Sequence, residues 1–339
     1  MDPTAAAARE TVAGLRPDLD DPVERTARWV HDLHDKAFLD LPLPGRGATA
    51  ERFAALRAVG AVDLDLARLV EAHTDALAVL ADLGVDDPAP GVWGIWAANP
   101  PTAPLVASRD GGGWRLTGTK PWCSGAGTCD HALVTARSGD GYRLFAVDPD
   151  GSTADPVEGT WPSPALPGSD SRSVRFDAHP AEPVGEPEAY LRRPGFWHGA
   201  VGVAAVWLGG ATAVASALTA GHARRPLHPH ALAHTGAVDA ALAASGALLD
   251  EAARAADADP SDSAGTARLT AGRVRAVVER TAAEVIDRVG RALGPAPLAT
   301  DPDHARAVTG LMLYVRQSHA ERDLEEHGGA VLATGTWPW

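Results

Sequence analysis

Several short stretches of the sequence carry side chains able to do chemistry together. Trp114-Arg-Leu-Thr-Gly-Thr-Lys-Pro-Trp-Cys-Ser-Gly-Ala-Gly127 sets Trp122 and Ser124 two residues apart. In one extended strand that spacing puts both side chains on the same side, so an indole and a hydroxyl can reach one ligand. Leu313-Tyr-Val-Arg-Gln-Ser-His-Ala-Glu-Arg-Asp-Leu324 carries His319 and Glu321. Imidazole exchanges a proton near neutral pH, and a carboxylate can serve the same end. Arg224-Arg225, ahead of Pro226, offers the paired donors that suit phosphate. Gly91-Val-Trp-Gly-Ile-Trp-Ala-Ala-Asn-Pro-Pro-Thr102 ends in two polar groups, Asn99 and Thr102, at a turn set by Pro100-Pro101.

Other groupings fail on spacing. Cys123 and Cys129 form neither a CxxC pair nor a zinc knuckle, and Cys123 reads as a small packing residue. His222, His228, His230 and His234 lie in a Pro-broken loop without a carboxylate or thiol at ligand spacing, so no metal is expected. His31 and His34 read as a helix-surface pair. Ser124-Gly-Ala-Gly127 lacks the order of a nucleophile elbow, and Gly209-Gly210 is not a dinucleotide-binding turn.

The elements that must position these groups follow from periodicity. Apolar residues at helical spacing between Pro22 and Leu83 predict a helical N-terminal domain, 1–88. A central β domain, 89–187, is expected from a hairpin at Leu105–Thr119 turning on Asp110-Gly-Gly-Gly113, and from strands at Ala132–Arg137, Tyr142–Val147 and Ser173–Phe176. The stripes Val274, Val277, Val278, Val285, Ile286, Val289, Leu293 and Ala307, Val308, Leu311, Met312, Val315 predict a helical C-terminal domain, 188–339. Ala200–Ala220 reads as a buried helix rather than a membrane span, and Ala255–Gly265 as a disordered linker. The formal charge of −14 argues against nucleic acid or an anionic membrane and for a small-molecule partner. Two unpaired cysteines and a start without basic, apolar and cleavage segments in succession predict a cytoplasmic location.

The order helices, β domain, helices, together with two stretches of the middle domain, resembles the acyl-CoA dehydrogenase superfamily of flavoproteins. The first stretch is Trp114–Gly127 followed by Asp130-His-Ala-Leu-Val-Thr-Ala136. The second is Leu166-Pro-Gly-Ser-Asp-Ser-Arg-Ser-Val-Arg-Phe176 ending in Pro183-Val-Gly185. The resemblance implies an α+β fold with a central β-barrel-like domain and a C-terminal up-and-down helical bundle. It implies FAD, with FMN or reduced flavin from a partner protein as alternatives. Trp122 would lie against the flavin ring, Ser124 and Thr102 near its polar edge, and Arg224 and Arg225 at the phosphates of a neighbouring subunit's cofactor. A homodimer or homotetramer built through the bundle is expected, the small residues of Gly199–Ala220 allowing close packing.

The sequence also departs from the family. The catalytic glutamate is found neither near Trp197-His198 nor near Arg316-Gln-Ser-His319, and the Gly-Gly pair of the family's second flavin loop is absent at Arg288–Gly294. The text around His319 is closer to the branch with a histidine there, which includes flavin-dependent monooxygenases. His319 is therefore the leading catalytic candidate, expected on the core side of its helix, and Glu321 the second. Three functions follow: hydride transfer to flavin from an acyl-CoA, carrier-protein thioester or similar metabolite; monooxygenation with reduced flavin; or a binding protein that kept the fold without redox chemistry.

Overall fold

The computed structural model describes Gly14 and residues 21–99, 104–149 and 151–337. The chain divides into two compact units, one joining Arg16–Leu41 to Arg68–Phe196 and the other joining Pro42–Ala67 to the chain from Trp197 onward. The helices of the expected N-terminal domain are thus distributed over both.

In the first unit the strands are β1 Trp93–Trp96, β2 Val106–Asp110, β3 Gly113–Lys120, β4 His131–Ser138, β5 Gly141–Val147, β6 Ala154–Val157 and β7 Ser173–Val184. The ring β4-β2-β3-β7-β5 closes because β5 pairs with β4 as well as β7, making a small barrel; β1 adds parallel to β4, and β6 pairs with β7. Closure removes sheet edges. The β2–β3 hairpin turns where the glycine pair predicts, with Gly111 and Gly112 both at positive φ (57° and 95°).

Strand β4 reads as a continuous apolar run because both its faces are covered. Ala132, Val134 and Ala136 point into the barrel with Leu116, Phe145, Val174 and Phe176. Leu133 faces the other way, joining Trp93, Ile95 and Leu144 against Ala72, Ala76, Val79 and Leu80 of a helix. Helix α1 (Pro22–Asp35) precedes it in the chain, its first turn capped by the Asp21 carboxylate, which accepts from the N–H groups of Val23 and Glu24.

The helical unit holds α2 (Thr49–Gly60) and the first turn of α3 (Leu64–Asp82). After the short α4 (Ala189–Arg192) come α5 (Gly195–Arg224), α6 (Pro229–Ala258), α7 (Ala267–Leu293), α8 (Ala296–Thr300), α9 (Pro302–Tyr314) and α10 (Glu321–Ala333). Helices α5 and α6 are long and apolar enough to cross a membrane by length and composition, but 67% of the most apolar window of α5 is buried inside the protein. Its small residues have a partner within the chain. A Cβ on Gly209 would lie 2.2 Å from the Arg57 carbonyl oxygen, and one on Gly60 2.6 Å from that of Val206, so α2 and α5 touch backbone to backbone.

Helix α7 buries Val274, Val278, Val285 and Val289 of the expected stripe. On α9 the buried face is His304, Val308 and Leu311, and Met312, expected in the stripe, is exposed because one further residue turns it about 100° away. The expected linker is also corrected: α6 continues to Ala258, and Asp259 closes the turn by accepting from Ser263 N, Ser263 Oγ and Ala264 N at 2.8–2.9 Å. Asp and Ser that read as solvated composition act here as local caps, and these N–H donors hold the Asp259 carboxyl below its usual range.

Candidate functional site

In the barrel unit, β3 stops at Lys120. Pro121 has no N–H to continue the ladder, and Trp122 takes a left-handed φ of 57°. The expectation that Trp122 and Ser124 share one face of a strand therefore fails: Trp122 is 59% exposed, and Ser124 only 4%. What holds this loop is the segment before β7. Cys123 N donates to Arg172 O, Gly125 N to Ser169 O, and Gly127 N to the Asp170 carboxylate, at 2.8–2.9 Å. Asp170 is itself gripped by two nitrogens of Arg172. The Ser124 hydroxyl receives Arg68 Nε at 3.0 Å and lies 2.8 Å from Ser171 Oγ, while its carbonyl accepts from Trp96 Nε1. Arg68 also pairs with Glu71.

The backbone N–H groups of Trp122 and Ser124 donate to no acceptor among the described residues. Cys123 is a buried core residue, as expected; burial pushes its thiol up, and that of Cys129 up to about 12, so neither is a nucleophile near neutral pH. Thr102 lies outside the described residues. Asn99 belongs to a cluster the sequence reading missed. Its Oδ1 accepts from Lys120 Nζ at 2.8 Å, and Lys120 also donates to Thr135 O (2.6 Å) and Thr135 Oγ1 (2.8 Å). The signal was available, since Lys120 is one of two lysines in the chain.

In the helical unit, α9 ends at Tyr314 and a 3-10 turn, Val315–Gln317, follows. Ser318 is extended and Ala320 has φ 50°, so His319 leaves the helix before it can face the core. That corrects its expected orientation: its side chain is 68% exposed. The Asp323 carboxylate accepts the His319 backbone N–H at 3.0 Å and lies 3.1 Å from Nδ1. A carboxylate only accepts, so in the neutral imidazole Nδ1 carries the proton and Nε2 keeps its lone pair. The i,i+4 spacing of Asp323 from His319 was the signal missed in the sequence.

The connection is pinned by α7, where Arg275 donates to Gln317 O and Ala200 O and Glu279 accepts from Arg316. Glu321 is exposed in the first turn of α10 and is brought to no partner among the described residues. Arg224 and Arg225 are exposed at the end of α5, and His228 from the rejected cluster caps α6 by accepting from Ala231 N.

No protein-family model and no curated protein matches the sequence. Solved structures do. The chain is similar to KijD3 in complex with FMN and a dTDP-sugar, at 21% identity over 98% of this chain and 91% of that one, with a TM-score of 0.78. It is similar to methanesulfinate monooxygenase MsuC from Pseudomonas fluorescens, at 20% identity over 100% and 98% of the two chains, TM-score 0.80. It is also similar to a glutaryl-CoA dehydrogenase from Mycobacterium smegmatis in complex with FADH2, at 17% identity over 99% and 95%, TM-score 0.79. The chain has the acyl-CoA dehydrogenase fold. The groups on the 121–129 loop of this fold suit a flat, heteroatom-edged ring such as flavin: an uncovered indole for one face, and two N–H donors without an acceptor among the described residues.

Proposed function

We propose that the chain is a flavin-dependent oxidoreductase, a monooxygenase that takes flavin in reduced form and acts on a small-molecule substrate. One observation carries the choice. Where the dehydrogenases place a carboxylate, this chain has His319, oriented by Asp323 and with its side chain 68% exposed. The likeness to MsuC, and to KijD3 crystallised with FMN, supports the same reading.

Trp122 and the N–H groups of residues 122 and 124 would hold the ring of FMN or FAD, with Thr102 near its polar edge and Arg224 and Arg225 proposed for the phosphates of a neighbouring subunit's cofactor. Reduced flavin, when bound, supplies the two electrons with which dioxygen is split, one oxygen atom going to substrate and the other to water. His319 Nε2 moves a proton at the reacting group. Reduced FMN, dioxygen and a panel of small metabolites, read by mass spectrometry for the gain of one oxygen atom, tests the reading. Bleaching of bound oxidised flavin by acyl-CoA thioesters, with no oxygen incorporated, would return the dehydrogenase reading instead. Leu232, Met312, Leu324 and Leu332 are exposed apolar residues of the helical unit, and we assign them to a homodimer or homotetramer; sedimentation as a monomer at micromolar concentration rejects this.

A further inference from the structure

Between Gly221 and Val238 the chain carries His222, Arg224, Arg225, His228, His230 and His234 and no carboxylate. This is the turn from α5 into α6, and two of its imidazoles close it. His228 is the N-cap of α6 and accepts from Ala231 N at 3.3 Å through Nδ1, while His222 Nδ1 accepts from Leu227 N at 3.4 Å. A ring nitrogen that accepts carries no proton, so both rings are neutral with the proton on Nε2. The oxygen of an Asn or Asp cap goes on accepting in mild acid. An imidazole cap does not, because its protonated form has only donors.

No group around the turn offsets a charge on these rings. Among the described residues no carboxylate lies within ion-pair distance of any of the four histidines. The rings of His228 and His230 are 5.9 Å apart, and the buried His234 Nδ1 has no hydrogen-bond partner among the described residues. Helix α7 packs along α6, and a Cβ on Gly221 would lie 3.1 Å from Leu293 at its end. The charges of that end are Arg288 and Arg291, which already hold Glu284 and Asp287. Helix α2 meets α6 at the opposite end, where Asp257 accepts from Gly47 N and Thr49 N. The first carboxylate of α6 itself is Asp239, about three turns in.

We propose that the α5–α6 turn is an acid-sensitive clasp, in which protonation of His228 and His222 frees the first turns of α6 while the rest of the bundle stays folded. Each protonation turns an N–H···N bond into two N–H groups facing each other. It also places a cation at a helix N-terminus, against the macrodipole. The closed turn is therefore favoured at high pH and lost as pH falls. The clasp involves no ligand, so it stands apart from the flavin reading.

The test is hydrogen–deuterium exchange of the full chain at about pH 8 and about pH 5, read as protection factors corrected for the intrinsic exchange rate. Amides 227–235 are expected to lose about tenfold in protection at the lower pH, with those from Val274 to Val289 of α7 changed by less than about twofold. His228→Asn and His228→Asp keep an acceptor at the cap in mild acid. Either should hold the protection of Ala231 to Thr235 within about twofold over the same interval, and one suffices where the other fails to fold. His230→Gln removes an imidazole that accepts no backbone N–H among the described residues and should keep the wild-type loss. Unchanged protection in the wild type, a loss that persists in the His228 variants, or a loss shared by α7 overturns the clasp.

Discussion

Lys120 is 1% exposed, and among the described residues no carboxylate pairs with it: its three donors go to Asn99 Oδ1, Thr135 O and Thr135 Oγ1. Burial pushes its ammonium down to about 7 from 10.5, with the Cys123 thiol acting weakly the other way. Between those values the unfolded chain binds a proton that the folded chain does not. Stability therefore rises with pH across the window from about 7 to 10.5; the same amount is lost as pH falls from 10.5 to 7, and nothing further is lost below 7. The 3.5-unit difference sets a ceiling of about 5 kcal/mol, with about 3 kcal/mol developed by pH 9.5. Lys120→Met lacks this dependence, so wild-type stability relative to the variant should rise by up to about 3 kcal/mol from pH 6.5 to 9.5 in urea unfolding. The midpoint is also directly readable. With only Lys36 and Lys120 in the chain, 13C-lysine labelling gives two Cε signals, and exposed Lys36 serves as reference. Two midpoints near 10 would refute the argument and show that three neutral acceptors are enough to keep a buried ammonium charged.

The same spectra report on Asn99→Asp, which gives Lys120 a carboxylate at the 2.8 Å contact and should raise its midpoint by more than about one unit. Gly209→Ala puts a Cβ 2.2 Å from a backbone oxygen that has no rotamer to yield, and should lower stability by at least about 2 kcal/mol in thermal or urea unfolding. His319→Asn should lower turnover at least about 10²-fold with an unchanged melting temperature, since the side chain is largely exposed. A loss of stability with specific activity intact would make the histidine structural. Trp122→Ala should weaken flavin binding without altering helical content, because the indole it removes packs little within the chain.

The fold was legible wherever a period continued across an element. Strands β3, β4 and β5 and the buried face of α7 follow from apolar spacing alone, and the glycine pair at 111–112 marks its own turn. Errors came where an element ends. Trp122 and Ser124 obey a two-residue period only if β3 continues past Pro121, and His319 obeys the helical one only if α9 continues past Tyr314. Pro121 was a visible stop. The break at Ser318–Ala320 was less so: the contact from Arg275 is announced by no local propensity, and only the i,i+4 spacing of Asp323 pointed to it. Asp259 erred the other way, a composition of Asp and Ser hiding an ordered cap.

These failures share a cause with the candidate chemistry. A side chain inside a regular strand or helix is committed to packing, whereas one at a terminus is held by a few specific polar contacts and can face a ligand. Trp122 and His319, both largely exposed, are among the groups whose orientation periodicity misassigned. Their positions are specified instead by a few charged partners: Asp170 and Arg172 for the loop of Trp122, Arg275 and Asp323 for the connection of His319. Activity should thus be more sensitive than stability to changes at those four charged residues. The reverse should hold at Gly60, Gly209 and the barrel interior, where packing alone is at stake.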